Sequence, residues 1–425
     1  VTESKGAETG TPSPPGEERA AEMPHGDEQP VEGGGTSLGR TVKVLGLVSL
    51  FTDVSSEMIY PLLPIFLTSV LGAGAVFLGV VEGIAEGTAS ILKGFSGYIS
   101  DRLHRRKALI LAGYGLSAVM KPFFAAADAV WQVLVVRFVD RVGKGIRTAP
   151  RDALIAETTG PTIRGKAYGF HRAMDTLGAV VGPAIAFLMM WLLRGQGNSA
   201  YRWVFLAAFI PGLIAIGLIV FALRVRRFDA AANFPGLRLS GFQRSYKWLI
   251  IVVVVFGLGN SSDTFLLLRA QNLHMKAYLI PLLWMVFNIV YSIVSTPGGM
   301  LSDRIGRKKT LLLGFAIYAL VYLGFGFAGR LLQIWLLMAA YGVFYGLTQG
   351  CLSAYVADLA PAGMKGTAFG VYHTADGVSK LIASVAFGVF WQFVSPRAAF
   401  LFGGGLAVIA AVLLWLFCEE CARPE

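Results

Sequence analysis

From Val42 onward, long apolar stretches alternate with short polar turns. The apolar runs cover 42–70, 76–100, 107–127, 129–156, 164–193 and 201–223, then 247–270, 277–301, 308–328, 331–358, 365–394 and 397–418. Runs of about 20 residues or more can cross a bilayer as helices. No period-two alternation of barrel type appears, so helices are the predicted spanners. Twelve spans place both ends of the chain on one side of the membrane.

A duplicated turn divides these spans into two sets. Gly97-Tyr-Ile-Ser-Asp101-Arg102-Leu-His104-Arg105-Arg106-Lys107 returns 202 residues later as Gly299-Met-Leu-Ser-Asp303-Arg304-Ile-Gly306-Arg307-Lys308-Lys309. At an offset of 201, Arg164-Gly-Lys-Ala-Tyr-Gly and Asp175 match Lys365-Gly-Thr-Ala-Phe-Gly and Asp376, and Glu157 matches Asp358. Ser55-Ser56-Glu57 echoes Ser261-Ser262-Asp263. Many secondary transporters consist of such repeats, with the substrate site between them near the midplane. The predicted fold is an all-α integral membrane protein of twelve transmembrane helices in two pseudo-symmetric six-helix halves. Its predicted parts are a disordered cytoplasmic tail (1–41), an N-terminal half (42–223), a cytoplasmic linker (224–246), a C-terminal half (247–418) and a short tail (419–425).

Composition agrees, with 55% apolar and 15% charged residues. Residues 1–40 hold eight acids against three Lys/Arg, so the net charge of +11 becomes +16 for the rest. Few large apolar side chains occur in that tail, which predicts disorder; it also lacks the pattern of a signal peptide. Basic residues concentrate in the 2–3 turn, the 8–9 turn and the central linker (Arg224, Arg226, Arg227, Arg238, Arg244). The positive-inside rule then puts both termini in the cytoplasm, in a plasma (inner) membrane, and anionic lipid rather than nucleic acid is the expected partner of the basic surplus. Cys418-Glu-Glu-Cys421 stands alone, without a second pair or a nearby histidine, and is read as incidental. No cofactor or metal is expected, and the predicted unit is a monomer.

The duplicated turn resembles the signature Gly-x-x-x-Asp-Arg-x-Gly-Arg-Arg/Lys of the major facilitator superfamily, and the resemblance extends over about residues 42–418. The second copy fits throughout; the first has His104 at the inner glycine. The resemblance implies an alternating-access transporter in which this loop closes the cytoplasmic gate in the outward-open state. Gly97, Asp101, Arg102 and Arg105, with Gly299, Asp303, Arg304 and Arg307, are then gate residues. Asp101 would face the start of the eleventh span and Asp303 the start of the fifth, where helix-dipole charge is positive.

The fourth span holds the most unusual pattern. Arg137, Asp140, Lys144, Arg147 and Arg151 fall within about 80° of helical arc. A charge facing lipid costs roughly 2.5–3.5 kcal/mol on insertion scales, so this stripe, with Arg141 beside it, belongs against a wet cavity or the other half. At the repeat offset Asp140, Lys144 and Arg147 become Tyr341, Tyr345 and Thr348, and the eighth span adds Trp284, Asn288, Tyr291 and Ser295. A basic wall facing an aromatic, hydrogen-bonding wall suits an amphipathic organic molecule with an anionic group. Neutralisation of the basic wall by acids would instead leave room for a neutral or cationic cargo.

Asp53 and Glu57 lie one turn apart on the first span, as Glu82 and Glu86 do on the second. Burial penalises a charged carboxylate, so such groups can bind and release protons near neutral pH. Asp53 and Glu57 are the expected proton carriers, Asp263 a secondary one. Arg137 matches the family's fourth-helix arginine, associated with proton coupling, and would bias the carriers by contact. Glu82 and Glu86 are read as structural partners of Lys93. Gly178-Ala-Val-Val-Gly182-Pro183 resembles the family's antiporter signature without its final glycine pair. Arg172/Asp175 and His373/Asp376/Lys380 read as ion-pair locks. The resulting expectation is export of an amphipathic solute by proton antiport, moving a small molecule and protons across the lipid. The alternatives are proton-coupled import of an organic anion, an embedded enzyme acting on lipid head groups, and a non-transporting receptor.

Overall fold

The computed structural model describes residues 1–2, 38–103, 106–160, 163–223, 241–361 and 364–419. The predicted 1–41 tail, the 224–246 linker and the 419–425 tail fall largely outside them. So do His104 and Arg105, and of the side chains of Gly97, Asp101 and Arg102 nothing is described.

Twelve helical passes follow one another: α1 (Arg40–Ile59, continued by Leu63–Ile65 and a π-helical turn, Phe66–Val70), α2 (Ala75–Leu103), α3 (Arg106–Ala126), α4 (Val130–Glu157), α5 (Arg164–Leu192), α6 (Ser199–Ala222), α7 (Arg244–Gly259 and Thr264–Asn272), α8 (Ala277–Ile305), α9 (Arg307–Phe327), α10 (Leu331–Leu359), α11 (Lys365–Phe393) and α12 (Pro396–Phe417). Among the described residues no strand occurs and nine helices are long and apolar enough to cross a membrane. The three passes that fall short are α1, α4 and α11, which carry Asp53 and Glu57, the charged stripe, and Asp376 and Lys380. These helices are polar because they face inward. Large apolar side chains such as Phe123, Trp203, Phe221, Leu320, Leu332 and Trp415 are exposed on the outside, as lipid-facing positions require.

The halves α1–α6 and α7–α12 meet mainly along α2 with α11 and α5 with α8. Glycines make the α2–α11 seam close. A Cβ on Gly79 would come within 2.2 Å of the Ser384 carbonyl oxygen, on Gly83 within 2.8 Å of the Leu381 oxygen, and on Gly388 within 2.6 Å of the Ala75 oxygen. Small residues allow this backbone approach, which dispersion then stabilises. At the same end of the bundle Gln271 on α7 meets Thr68 (3.3 Å) and Ser69 on the α1 extension. The Val76 N–H donates to the Gln392 side chain at 3.1 Å. The halves are thus sealed at the end opposite the basic turns. Gly83→Leu is expected to force this seam apart at an overpacking cost of about 1–3 kcal/mol, about a tenfold or larger shift towards opening there. Maleimide labelling of a Gln271→Cys reporter should accelerate accordingly; unchanged labelling would contradict the seam's role.

At the basic end the second signature turn is a helix end rather than a loop. Asp303 and Arg304 occupy the last turn of α8, and Gly306, at φ 100°, stops the helix in a conformation that suits glycine. Gly299 lies inside α8, where an added Cβ would meet nothing. The contact of Asp303 with the start of α5 is expected of the outward-open state, and with the halves sealed at the opposite end Asp303 makes another one. Arg307 instead ties Asp303 (2.6 Å) to Asp358 (3.2 Å) of the same half. The described contacts between the halves lie from the midplane to the opposite end, so this is a conformation in which Asp303 is held within its own half.

Candidate functional site

Both helices that bear the Ser-Ser-acid repeat are interrupted beside it. Pro61 and Pro64 lack the N–H that would continue α1, which turns at 60–62. In α7 the interruption spans Asn260-Ser261-Ser262-Asp263, where the Ser262 N–H donates to Ser384 Oγ (3.2 Å) and Thr264 donates through its hydroxyl to Ser262 Oγ (2.9 Å). Irregular backbone at membrane depth is tolerated where protein or a wet cavity surrounds it.

Two adjoining chambers lie between the halves. The one nearer the basic end, about 260 Å³, is lined by Asp53, Lys144, Arg147, Arg172, Asn288 and Tyr291 among others. The deeper one, about 190 Å³, is lined by Tyr60, Glu86, Arg141, Asp263, Trp284, Tyr345 and Lys380 among others. Glu57 and Lys144 line both. The expected basic wall on α4 and aromatic wall on α8 and α10 therefore face one another. Aromatic rings run continuously from Tyr60 through Trp284 and Phe287 to Tyr291 and Tyr345, with centroids 4.6–6.1 Å apart.

Not every expected wall residue reaches the chambers. Asp140 is buried behind α4, where it binds Lys121 Nζ at 3.0 Å and lies 3.8–4.0 Å from Arg141 and Arg137. Tyr341 is fully buried and donates to Asp263 at 2.6 Å. Thr348 is back-bonded to the Phe344 carbonyl and packs on Gly314 of α9. In each case helical periodicity gave the face, whereas a nearer neighbour on α3, α7 or α9 took the side chain.

Arg137 lies away from the expected proton carriers. It forks onto Glu82, Nε to Oε1 at 3.1 Å and Nη2 to Oε2 at 3.0 Å, with Glu82 fully buried and Ser262 of the other half 3.5 Å from the same carboxylate. It does not contact Asp53 or Glu57. Arg141 similarly approaches Glu86 at 3.6 Å, so Glu82 and Glu86 pair with α4 rather than with Lys93. Desolvation makes such pairs expensive, and bidentate geometry is what makes them tenable.

Asp53 and Glu57 are placed as expected, on the chamber face of α1. Glu57 accepts a 2.7 Å hydrogen bond from Trp284 Nε1 on α8, so this carboxylate bridges the two halves. The glycine motif of α5 packs directly behind both acids. A Cβ on Gly178 would come within 2.8 Å of Asp53 Cβ, and on Gly182 within 2.9 Å of Glu57 Cβ; Pro183 follows within the same helix. Asp263 accepts from Tyr341 and, at 3.3–3.4 Å, from Tyr345. The expected Arg172–Asp175 lock is absent: Asp175 takes the Ser49 hydroxyl and pairs with His171 (3.5 Å), while Arg172 crosses to the Tyr291 hydroxyl. Asp376 pairs with Lys380 at 2.9 Å. Among the described residues no group of three His, Cys, Asp or Glu side chains could hold a metal.

Sequence reasoning missed Lys121 and Tyr60. Lys121 is the one charge within the apolar body of α3, which itself marks an intramembrane partner; Tyr60 carried no signal beyond its place beside Pro61.

A family model described as Major Facilitator Superfamily matches residues 45–286 and 248–424. An uncharacterized MFS-type transporter of Methanocaldococcus jannaschii is 36% identical over 383 residues, 89% of this chain and 94% of the relative. A multidrug resistance protein of Yersinia enterocolitica is 31% identical over 158 residues, 37% of this chain and 38% of its own length. Among solved structures, a D-xylose–proton symporter superposes with a TM-score of 0.71 at 15% identity, covering 91% of this chain and 99% of that one.

Proposed function

The chain belongs to the major facilitator superfamily, and from that premise we propose that it is a proton-coupled secondary transporter that exports an amphipathic organic solute by alternating access. It is a multi-pass membrane protein of a family of small-molecule transporters, not enzymes. Asp53 and Glu57 are the proton carriers of this reading, Asp263 an auxiliary one, and the chamber between α4 and α8 holds the cargo. Basic turns face the cytoplasm, by the positive-inside rule.

One observation carries the coupling: the Glu57–Trp284 hydrogen bond joins a chamber-facing carboxylate to the opposite half. Taking up a proton changes what that carboxylate can accept, and so changes the energy of the contact between halves. Linkage then runs both ways, from proton to conformation and back. Arg137 is a positioning residue in this scheme, holding Glu82 and the floor of the N-terminal half.

Export is favoured by the α5 glycine motif against Asp53 and Glu57 and by the multidrug resistance relative. A second reading, proton-coupled import of an organic anion, is favoured by Lys144 and Arg147, which line the chamber without a carboxylate in ion-pair range among the described residues. Inverted membrane vesicles with an imposed pH gradient decide between them. A panel of amphipathic anions, cations and neutral compounds is added while a pH-sensitive dye reports proton movement. Antiport predicts collapse of the gradient as the compound enters the vesicle against outgoing protons. Symport predicts that compound and protons move the same way. No chain-dependent proton movement with any solute that crosses would overturn the coupling.

A further inference from the structure

We propose that Lys144, Arg147 and Arg172 form an anion subsite in the chamber nearer the basic end, and that the cargo is an amphipathic monocarboxylate. Its carboxylate would lie among these cations and its apolar body along Tyr291 and the rings beyond. This rests on the second reading above, proton-coupled import of an organic anion, and specifies its substrate class.

The charge distribution along α4 motivates the assignment. In its first half every cation has a counter-charge: Arg137 has Glu82, and Arg141 has Asp140 and Glu86. Nearer its C-terminal end Arg151 pairs with Asp152 at 2.8 Å. Between these, Lys144 and Arg147 have no carboxylate within 4.0 Å among the described residues. Arg147 is only 6% exposed, its guanidinium lies 4.1 Å over the Tyr114 ring, and its Nη1 makes no hydrogen bond. A buried guanidinium held by an aromatic face alone is costly at membrane depth, and an incoming anion would relieve that cost.

Lys144 is exposed to the chamber although it lies midway along a membrane-spanning helix. Arg172 reaches in from α5 and donates to the Tyr291 hydroxyl on α8. Three cations without a carboxylate in ion-pair range among the described residues thus share the chamber with the carboxylates Asp53, Glu57 and Asp175, the last of which is not neutralised by accepting from Ser49. Once one of these acids has taken up a proton, one net positive charge remains, which a single carboxylate balances; guanidinium and ammonium groups recognise it by charge-assisted hydrogen bonds. Trp284, Phe287, Tyr291 and Tyr345 supply flat apolar area for an aromatic or aliphatic body.

Proton and anion are linked by this geometry. Lys144 is surrounded by Asp53 and Glu57 from α1, Glu86 from α2, and Arg141 and Arg147 on its own helix. Each proton taken by one of the acids removes a negative charge that competes with the carboxylate for the cations. Anion binding should therefore tighten in acid, whereas a cationic cargo would bind more weakly there.

The test uses the full chain purified in detergent, with thermal unfolding followed by tryptophan fluorescence. Naphthoate is the probe; naphthamide and naphthylmethylammonium are its neutral and cationic counterparts. Naphthoate alone should raise the unfolding temperature, more at acidic than at alkaline pH. Lys144→Gln and Arg147→Gln should each lower its apparent affinity about tenfold or more, the effect of losing one charge-assisted hydrogen bond. Arg202→Gln, which breaks a pair with Asp128 at the far end of the bundle, should bind like the parent. If a glutamine variant elutes as aggregate, Lys144→Met and Arg172→Gln carry the same comparison. Equal stabilisation by the amide or the ammonium, or unaltered naphthoate affinity in the folded variants, would overturn the subsite. Proton movement with some other compound in vesicles would then leave the transporter reading standing; naphthoate binding without any proton movement would do the reverse.

Discussion

Asp53→Asn and Glu57→Gln should each yield a protein that exchanges solute but no longer accumulates it. Both carboxylates lie on the chamber face of α1 with the α5 glycines behind them, and Glu57 reaches the other half through Trp284. Amide replacements keep shape and much of the hydrogen bonding but carry no titratable proton. One pH unit stores about 1.4 kcal/mol per proton, so an electroneutral one-proton cycle can hold about a tenfold solute gradient for each unit imposed. The parent should approach that ratio and the variants should equilibrate near onefold. Solute–solute exchange in the absence of a pH gradient requires no net proton transfer, and the variants should retain it. Accumulation by both variants at the parent's ratio would remove Asp53 and Glu57 as carriers and leave Asp263, held by Tyr341 and Tyr345, as the candidate.

The second large effect concerns stability. Glu82 and Arg137 are buried to 0% and 3% exposure and make a two-point contact of 3.0–3.1 Å. Removing one partner strands the other, which costs about 3–5 kcal/mol, whereas replacing both with apolar residues of similar volume is often neutral. Glu82→Met or Arg137→Met alone should thus fall sharply in unfolding temperature, and the double variant should recover most of the loss. Asp140, 4.0 Å from Arg137, shares the network and makes Arg137→Met the less additive of the two. Thermal unfolding of the three proteins in one detergent measures the cycle. Additive losses in the double variant would show that the two side chains act independently.

Much of this architecture was legible in the sequence because membrane helices announce themselves. Without water, each backbone group must bond within its own helix, so a run of about 20 apolar residues can hardly be anything else. The internal repeat pointed to two halves, whereas 42–70 and 247–270 read as unbroken spans and the interruptions of α1 and α7 beside the Ser-Ser-acid copies were not legible. The fourth span's stripe could be placed on a cavity because lipid is a poor solvent for it. Partner choice was the illegible part. Arg137 could have reached Glu57, Glu82 or Glu86 by charge alone; the α2–α4 packing selects Glu82, and nothing in a one-dimensional pattern encodes that packing. Asp140, Tyr341 and Thr348 share the faces of Lys144 and Tyr345 by periodicity, yet Lys121, Asp263 and Gly314 draw them behind the chamber wall. The gate residues depend on conformation as well: Asp303 pairs with Arg307 while the halves are joined at the other end.

In the proposed cycle, protons carried by Asp53 and Glu57 are exchanged for solute through the chamber between α4 and α8. The most direct test encloses a pH-sensitive dye in proteoliposomes of the parent or of the Asp53→Asn/Glu57→Gln double variant, with solute supplied on one side and no other driving force. A solute-dependent change of internal pH is expected with the parent and none with the double variant, while labelled solute still equilibrates in both. A pH change of equal size in the double variant would contradict that cycle.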